Sequence, residues 1–423
     1  MSSRRSFIAT GAAAMATTFF PLTTFEKMRV PSLPNIDDKN IAADDEVFWK
    51  LVREQFPLSR ERVYLNNGTM GPSPFPVINA YTKKITAIDE FGEYGGWDVA
   101  RPKLAQLIHC DEKEISLTHN ATEGICIIAS GLKLNRGDEV IMTTHEHVGN
   151  ALPWLNRQKR DGIVVKTFAP AMTAAENLNR INDLITPRTR AIAMNHFSCT
   201  IGQLFPGKEI SRLGHDKGLY VMLDAAHPPG MMPVDVKDLG CDFFVSCGHK
   251  WLCGPKGTGF LYVDKNKFDD VTPIWVGGGT DKGWDWNGKL DYADTAHRYD
   301  FATQNAALYE ALGASVDFMM KIGLENIHAR TKALASRLRA GLKELGDKAE
   351  ILTPEEEGSY AAVLGFKLKN ADMNKISAHL AEKYHIRIRN VAEAGLNSTR
   401  ISTHIYNSFE EVELLLKGLR ELA

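Results

Sequence analysis

The chain has 423 residues, 44% of them hydrophobic and 24% charged, with a formal net charge of −2. That is the composition of a soluble globular protein long enough for two or three domain-sized cores, and the near-zero charge excludes the basic footprint of a nucleic-acid or anionic-membrane binder. The Cys residues (110, 126, 199, 241, 247, 253) form no CxxC pair and mostly lie in apolar runs, the pattern of buried free thiols.

Residues 1–30 read as an export signal and linker. Arg4-Arg5 precedes an apolar stretch from Phe7 to Phe20 that is too short and too weak to span a bilayer. Ser-Arg-Arg-x-Phe-Ile resembles a bacterial twin-arginine signal, a route for proteins exported already folded. It implies a periplasmic protein; the alternative is a basic, disordered N-terminus on a cytoplasmic one. No later stretch has the roughly 18 uninterrupted apolar residues of a membrane span, so no membrane association is expected once the signal is removed.

Residues 31–62 form an N-terminal segment with an amphipathic helix in "DDEVFWKLVREQF". From Val63 apolar runs alternate with amphipathic stretches: "EVIMTT" (139–144), "AIAMNHFS" (191–198), "YVMLDAA" (220–226), "DFFVSCG" (242–248) and "GFLYVD" (259–264). Short, nearly continuous apolar runs are strands buried on both faces, and the stretches between them supply helical crossovers. A mostly parallel, doubly wound α/β sheet over 63–305 follows. After Ala306 a long helix leads into alternating helices and strands, a smaller α+β domain over 306–423. No internal repeat or low-complexity tract is present.

Ligands of such sheets sit at the carboxyl ends of the strands, so strand ends carry the candidates. "LTHNATEGI" turns from strand to helix at Asn120-Ala121-Thr122, which suits a phosphate or an ordinary helix cap. His145, Glu146 and His147 follow another strand; further zinc ligands are missing. Asp224 ends an apolar strand, where a carboxylate either caps the next segment or meets a buried cation. Lys250 ends the next strand in "VSCGHKWLCGPKGTG"; partial desolvation there makes a lysine nucleophilic, whereas by itself it reads as a surface lysine. No G-x-x-x-x-G-K-[ST] loop occurs, and Cys247, His249 and Cys253 fit no common zinc knuckle, so no metal is expected. Together, a phosphate cradle, a ring neighbour, a strand-end Asp and a strand-end Lys are the parts a pyridoxal phosphate enzyme uses.

In this order the motifs resemble the class V aminotransferase family of fold-type I pyridoxal phosphate enzymes, from about Val63 to the end, and within it the isopenicillin N epimerase-like branch. The resemblance implies a seven-stranded-type sheet in the large domain and the following roles. "NATEGI" implies Ala121 and Thr122 on the phosphate, and "EHVGNALPW" implies His147 stacked on the ring. "DAAHPPG" implies Asp224 on the ring nitrogen and His227 near the phenolic oxygen. "SCGHKWLCGPKGTGFLYV" implies Lys250 as the Schiff-base lysine, with His249 and Cys247 on the phosphate side. "VGGGT" implies a homodimer in which Thr280 reaches the neighbouring subunit's phosphate. "TRISTHIYNSFEEV" implies Arg400 on the substrate carboxylate, where a fork-shaped guanidinium suits the ligand. Arg389 fits a second substrate-side arginine, because "YHIRIR" alternates and so puts His385, Arg387 and Arg389 on one strand face. "VYLNNGTMGPSP" resembles the family's stretch at the active-site mouth, with Asn67 as a further substrate-side residue.

Two departures stand out. Cys199 replaces an Asn common near the phenolic oxygen, and Cys247 a phosphate-side Ser. In "RNVAEAGLNSTR" no Cys precedes the final Arg, which argues against the persulfide chemistry of the family's cysteine desulfurases. The expected activity is transamination of an α-amino acid, with epimerisation and β-elimination as alternatives from the same carbanion. Competing classes are a non-catalytic binding protein on this fold and an unrelated α/β nucleotide-binding protein.

Overall fold

In the computed structural model the described residues are 33, 40–96 and 98–423, so the twin-arginine-like segment 1–30 lies outside them. Helix α1 (Glu46–Arg53) starts where Asp45 accepts from the Phe48 N–H, and it buries Phe48, Trp49 and Val52. A short strand β1 (Val63–Tyr64) and helices α2 (Phe75–Phe91) and α3 (Ala100–Leu107) follow.

Strand and helix then alternate through β2 (Ile115–Thr118), α4 (Ala121–Gly131), β3 (Glu139–Thr143), α5 (Val148–Asp161), β4 (Val164–Phe168) and α6 (Ala174–Leu184). The run continues with β5 (Thr189–Asn195), α7 (Gly207–Asp216), β6 (Tyr220–Asp224), α8 (Val236–Leu239), β7 (Phe243–Cys247) and β8 (Gly259–Val263). These strands make a seven-stranded sheet in the order β2-β8-β7-β6-β5-β3-β4. Only β8 runs against its neighbours; the other pairings are parallel.

The apolar runs are continuous because both faces are covered. Ile192, Met194, Val221, Leu223 and Phe244 pack on one side with α1, α3 and residues Tyr309 to Met319. Ala191, Ala193, Met222, Phe243 and Val245 pack on the other with α4 and Trp154 of α5. Strict alternation of strand side chains produces this division, and each fully buried large side chain contributes about 1.5–3 kcal/mol.

An antiparallel hairpin, β9 (Asp281–Trp284) and β10 (Leu290–Tyr292), precedes the long helix α9 (Ala306–Ile322) and α10 (Leu324–Lys343). The chain ends with β11 (Ala349–Ile351), β12 (Val363–Leu368), α11 (Met373–Tyr384), β13 (Ile386–Arg387), β14 (Arg389–Val391), β15 (Ser398–Ser402) and α12 (Phe409–Arg420). Four of these strands form an antiparallel sheet in the order β11-β12-β15-β14. β1 pairs in parallel with β13, and Asn66 bridges Ser402, which brings the stretch after Val63 against Arg400.

The alternation in "YHIRIR" does not make one strand. His385 adopts φ 54° as the C-cap of α11, and β13 and β14 pair with different partners on either side of Ile388. Among the described residues no helix is long and apolar enough to cross a membrane.

Candidate active site

The carboxyl ends of β5, β6 and β7 and the first turns of α4 and α5 enclose a cavity of about 200 Å³. The loop after β7 is folded back on itself by Gly248 N–H to Thr258 O at 2.9 Å and Gly254 N–H to Gly248 O at 2.7 Å. This delivers Lys250 into the cavity, with its Nζ 3.4 Å from His227 Nε2. Lys256 is instead a loop lysine, donating to Gly71 O at 3.0 Å.

Asp224 ends β6 with 6% of its surface exposed. Its carboxylate accepts one hydrogen bond among the described residues, from the Ala226 N–H at 3.1 Å. Burial raises its pKa above the ordinary carboxylate value, opposed by the charge of Lys250. A carboxylate so placed is costly unless a cation joins it.

His147 caps α5, its Nδ1 accepting from the Gly149 N–H at 3.0 Å. A Cβ on Gly149 would lie 2.4 Å from Thr122 Oγ1, so glycine is what lets α5 approach the start of α4. Burial, reinforced by Lys250, lowers the His147 pKa to about 4 and leaves the imidazole neutral. Beneath it Glu146 accepts from Thr143 Oγ1 at 2.7 Å, Asn150 Nδ2 at 2.8 Å and Asn195 N at 3.0 Å, tying α5 to the end of β5. Burial pushes Glu146 up to about 7.

On the phosphate side expected from the sequence, Asn120 caps α4, and Ala121 and Thr122 line the cavity. Free N–H groups at a helix start attract a phosphate. His249 lines the same wall; its buried Nδ1 finds no partner among the described residues, and burial lowers its pKa to about 4.

Arg400 on β15 is fully buried. Its Nη1 donates to Cys199 O at 2.6 Å and its Nη2 to Thr69 Oγ1 at 2.9 Å, while Nε has no partner among the described residues. Burial, then the charge of Arg389, lowers its pKa to about 9. Arg389 faces the cavity and is ion-paired with Glu393.

Of the residues singled out in the sequence, Ala121, Thr122, His147, Asp224, His227, Cys247, His249, Lys250 and Arg389 line this one cavity. Arg400 and Asn67 pack behind the lining; Tyr406 OH donates to Asn67 Oδ1 at 2.9 Å. Thr280 is elsewhere, its Oγ1 donating to Gly277 O at 2.8 Å within its own turn. Thr69 and Phe197 also line the cavity, and Trp251 bonds His227, though no motif singled them out. A buried Trp demands a partner for its N–H, and Trp251 directly follows Lys250, so that signal was present. A larger groove of about 690 Å³ crosses the opposite ends of the strands. Among its charges, Arg190 pairs with Asp138 at 3.3 Å and Lys267 with Asp242 at 3.5 Å.

A helix start for a phosphate, a buried carboxylate short of a cation and a strand-end lysine fit pyridoxal phosphate, and together with the fold they define a fold-type I pyridoxal phosphate enzyme. A family model described as aminotransferase class-V matches residues 92–415, and the chain belongs to that family. A probable cysteine desulfurase of Methanothermobacter thermautotrophicus is 32% identical over 400 residues, covering 88% of this chain and 97% of the relative. An isopenicillin N epimerase of Streptomyces clavuligerus is 26% identical over 399 residues, covering 88% and 98%. Among solved structures, the cystine C–S lyase C-DES in complex with its product cysteine persulfide has a TM-score of 0.80 at 25% identity, covering 87% of this chain and 100% of that one. A mutant of the same lyase carries glycine covalently linked to the pyridoxal phosphate cofactor (TM-score 0.79, 25% identity, 88% and 99% covered). Pyridoxal phosphate is accordingly the cofactor of this chain.

These findings correct one expectation. The missing Cys before Arg400 does not set the chain apart from the cysteine desulfurases, because relatives and solved neighbours of that name match nearly the whole described length. The physical reason is that binding and activating the amino acid is the task of the shared fold and pocket, and a single loop position does not define it.

Proposed function

We propose that the chain removes the Cα proton of an α-amino acid with pyridoxal phosphate carried on Lys250, and that the substrate is a sulfur-bearing one of the cysteine or cystine class. The observation that supports it most is the convergence on one cavity of the Lys250 amine, the sparsely bonded Asp224 carboxylate and, behind the lining, the buried Arg400. The names of the relatives and of the C–S lyase support the sulfur substrate.

The bound cofactor supplies an electron sink for charge developing at Cα. Asp224 holds positive charge at the floor of the site, and the neutral His147, fixed through Nδ1, keeps its Nε2–H free. Arg389 at the cavity wall meets the substrate carboxylate, and Arg400, a planar fork that a lysine lacks, is the second carboxylate-side guanidinium, reached from behind the lining through Thr69. Lys250, its amine released when the substrate amine takes its place, takes the Cα proton. The electron pair left behind expels sulfur from Cβ, the sulfur departing with the Cβ–S pair.

The family model and the epimerase relative favour a second reading, in which a proton returns instead, giving transamination or epimerisation. An amino-acid panel in heavy water separates the outcomes. Cα exchange with release of sulfide or persulfide from cysteine or cystine is expected. The pyridoxamine form means transamination and racemisation means epimerisation; no exchange with any amino acid overturns the proposal.

We also propose a homodimer in which Thr280 of one copy completes the phosphate site of the other, and export by residues 1–30. A monomer at micromolar concentration, or retention of a reporter fused to residues 1–30 in the cytoplasm, contradicts these respectively.

A further inference from the structure

We propose that Trp251 is a positioning residue that locks His227 in one tautomer, so that His227 meets the group carried on Lys250 as a hydrogen-bond donor and never as a base. This rests on Lys250 being the cofactor lysine.

The indole Nε1–H of Trp251 lies 3.0 Å from His227 Nδ1. An indole nitrogen only donates, so His227 Nδ1 must present a lone pair, and the proton of the neutral imidazole sits on Nε2. That Nε2 is the atom 3.4 Å from Lys250 Nζ. Protonating Nδ1 would set two N–H groups against each other. Turning the ring over would leave the wholly buried indole N–H without a partner, which is unfavourable.

The surroundings hold both rings in place. Phe197 stacks on His227 with centroids 5.5 Å apart and planes at 23°. A Cβ on Gly68 would lie 3.2 Å from both His227 Cε1 and Arg400 Nη2, so the backbone comes close on that side. Trp251 is anchored in turn through its carbonyl, which accepts from His404 Nε2 at 2.9 Å, while His404 Nδ1 accepts from the Ile405 N–H at 2.8 Å. Both His404 nitrogens are thereby assigned as well.

The charged and titratable groups around His227 are Lys250, Arg389 on β14, Arg400 on β15 and His147 at the start of α5, with Asp224 at the end of its own strand and Cys199 on the cavity wall. Burial, and after it the charges of Lys250, Arg400 and Arg389, keep the imidazole neutral. A fixed N–H beside Lys250 suits an anionic oxygen on the bound cofactor. It also leaves the proton transfer at Cα to Lys250 alone.

The test uses protein labelled with ¹⁵N-histidine, with and without cofactor bound, the His227 signals being identified by their loss in His227→Gln. The expected pattern is a pyridine-type Nδ1 and a pyrrole-type Nε2 throughout neutral pH, becoming mixed in Trp251→Phe. In the loaded enzyme Trp251→Phe should raise the pH midpoint of the cofactor's absorbance change by about one unit, the effect of losing one hydrogen bond to a charged oxygen. Gln offers an N–H without a tautomer, so adding Trp251→Phe to His227→Gln should leave the midpoint where it was. A pyridine-type Nε2 in the wild type overturns the proposal, as does a Trp251→Phe shift that persists alongside His227→Gln. If Trp251→Phe does not fold, the wild-type ¹⁵N pattern decides alone. Failure of the Lys250 assignment shows separately, as an absorbance band that survives Lys250→Ala.

Discussion

Asp224→Asn should act in opposite directions on the cofactor-free and cofactor-bound protein. Asp224 has 6% exposure, its carboxylate accepts one hydrogen bond among the described residues, and burial holds its pKa above the ordinary value. With no ion pair among those residues and only the more distant charge of Lys250 to offset its burial, the ionised carboxylate works against folding. A group of this kind contributes its stability below the unfolded carboxylate pKa and loses it as pH rises through the folded one. The cofactor-free variant should therefore melt higher than wild type at neutral pH, and the gain should vanish in acid. With a protonated ring nitrogen bound, the same carboxylate is half of a buried ion pair. Breaking such a pair costs about 3–5 kcal/mol. Asn retains an acceptor, so the lower figure applies, a cofactor affinity weaker by about 150-fold. Absorbance titration with pyridoxal phosphate and calorimetric melting across pH measure the two effects. A variant that binds cofactor within about fivefold of wild type, or that melts lower without cofactor at neutral pH, would mean that Asp224 is not an unpaired buried carboxylate awaiting the ring nitrogen.

Glu146→Gln should flatten the fall in stability that the wild type shows as pH rises from the unfolded carboxylate range to about 7, a change of about 3 kcal/mol read from urea midpoints; an unchanged slope contradicts the buried, raised carboxyl. Glu393→Ala frees Arg389, and should lower KM for a carboxylate substrate up to about fivefold with kcat unchanged, since a partly exposed ion pair is worth no more than about 1 kcal/mol; a raised KM would show that Glu393 orders the site. Arg330 is fully buried between the rings of Trp49 and Phe409, bonds Ala43 O and Asn407 O, and pairs with Glu46. Arg330→Ala empties a buried site and should lower the unfolding free energy by about 2–5 kcal/mol in urea, and a loss below about 1 kcal/mol would mean the packing and hydrogen bonds of Arg330 contribute little.

The large sheet was legible because its strands are buried on both faces, so "YVMLD" carries a signal strong enough to place Asp224 at a strand end, whereas "AIAMNHFS" showed the strand but not that it stops at Asn195. Helix starts were legible where a cap stands before an amphipathic run, as at Asn120. What local pattern could not carry is pairing between distant segments. Nothing in "VYLNN" announces that Val63 pairs with Ile386 or that Thr69 meets Arg400. "YHIRIR" misled for the same reason: its burial alternates as in a strand, but His385 closes a helix and the two halves join different neighbours. The hairpin 281–292 is short and exposed, so it lacks the apolar run that marked the other strands. Cys loss from the loop before Arg400 was visible in the sequence, yet one position weighed less than the similarity of the whole chain to cysteine desulfurases.

The central claim is that Lys250 carries the cofactor, and reduction of the loaded protein with borohydride followed by peptide mass analysis tests it most directly. One modified peptide is expected, spanning Lys250, with the mass of a reduced pyridoxal phosphate adduct, and no modified peptide from Lys250→Ala. An adduct on Lys256 or on another lysine, or an unmodified Lys250 peptide from protein that has bound the cofactor, would contradict it.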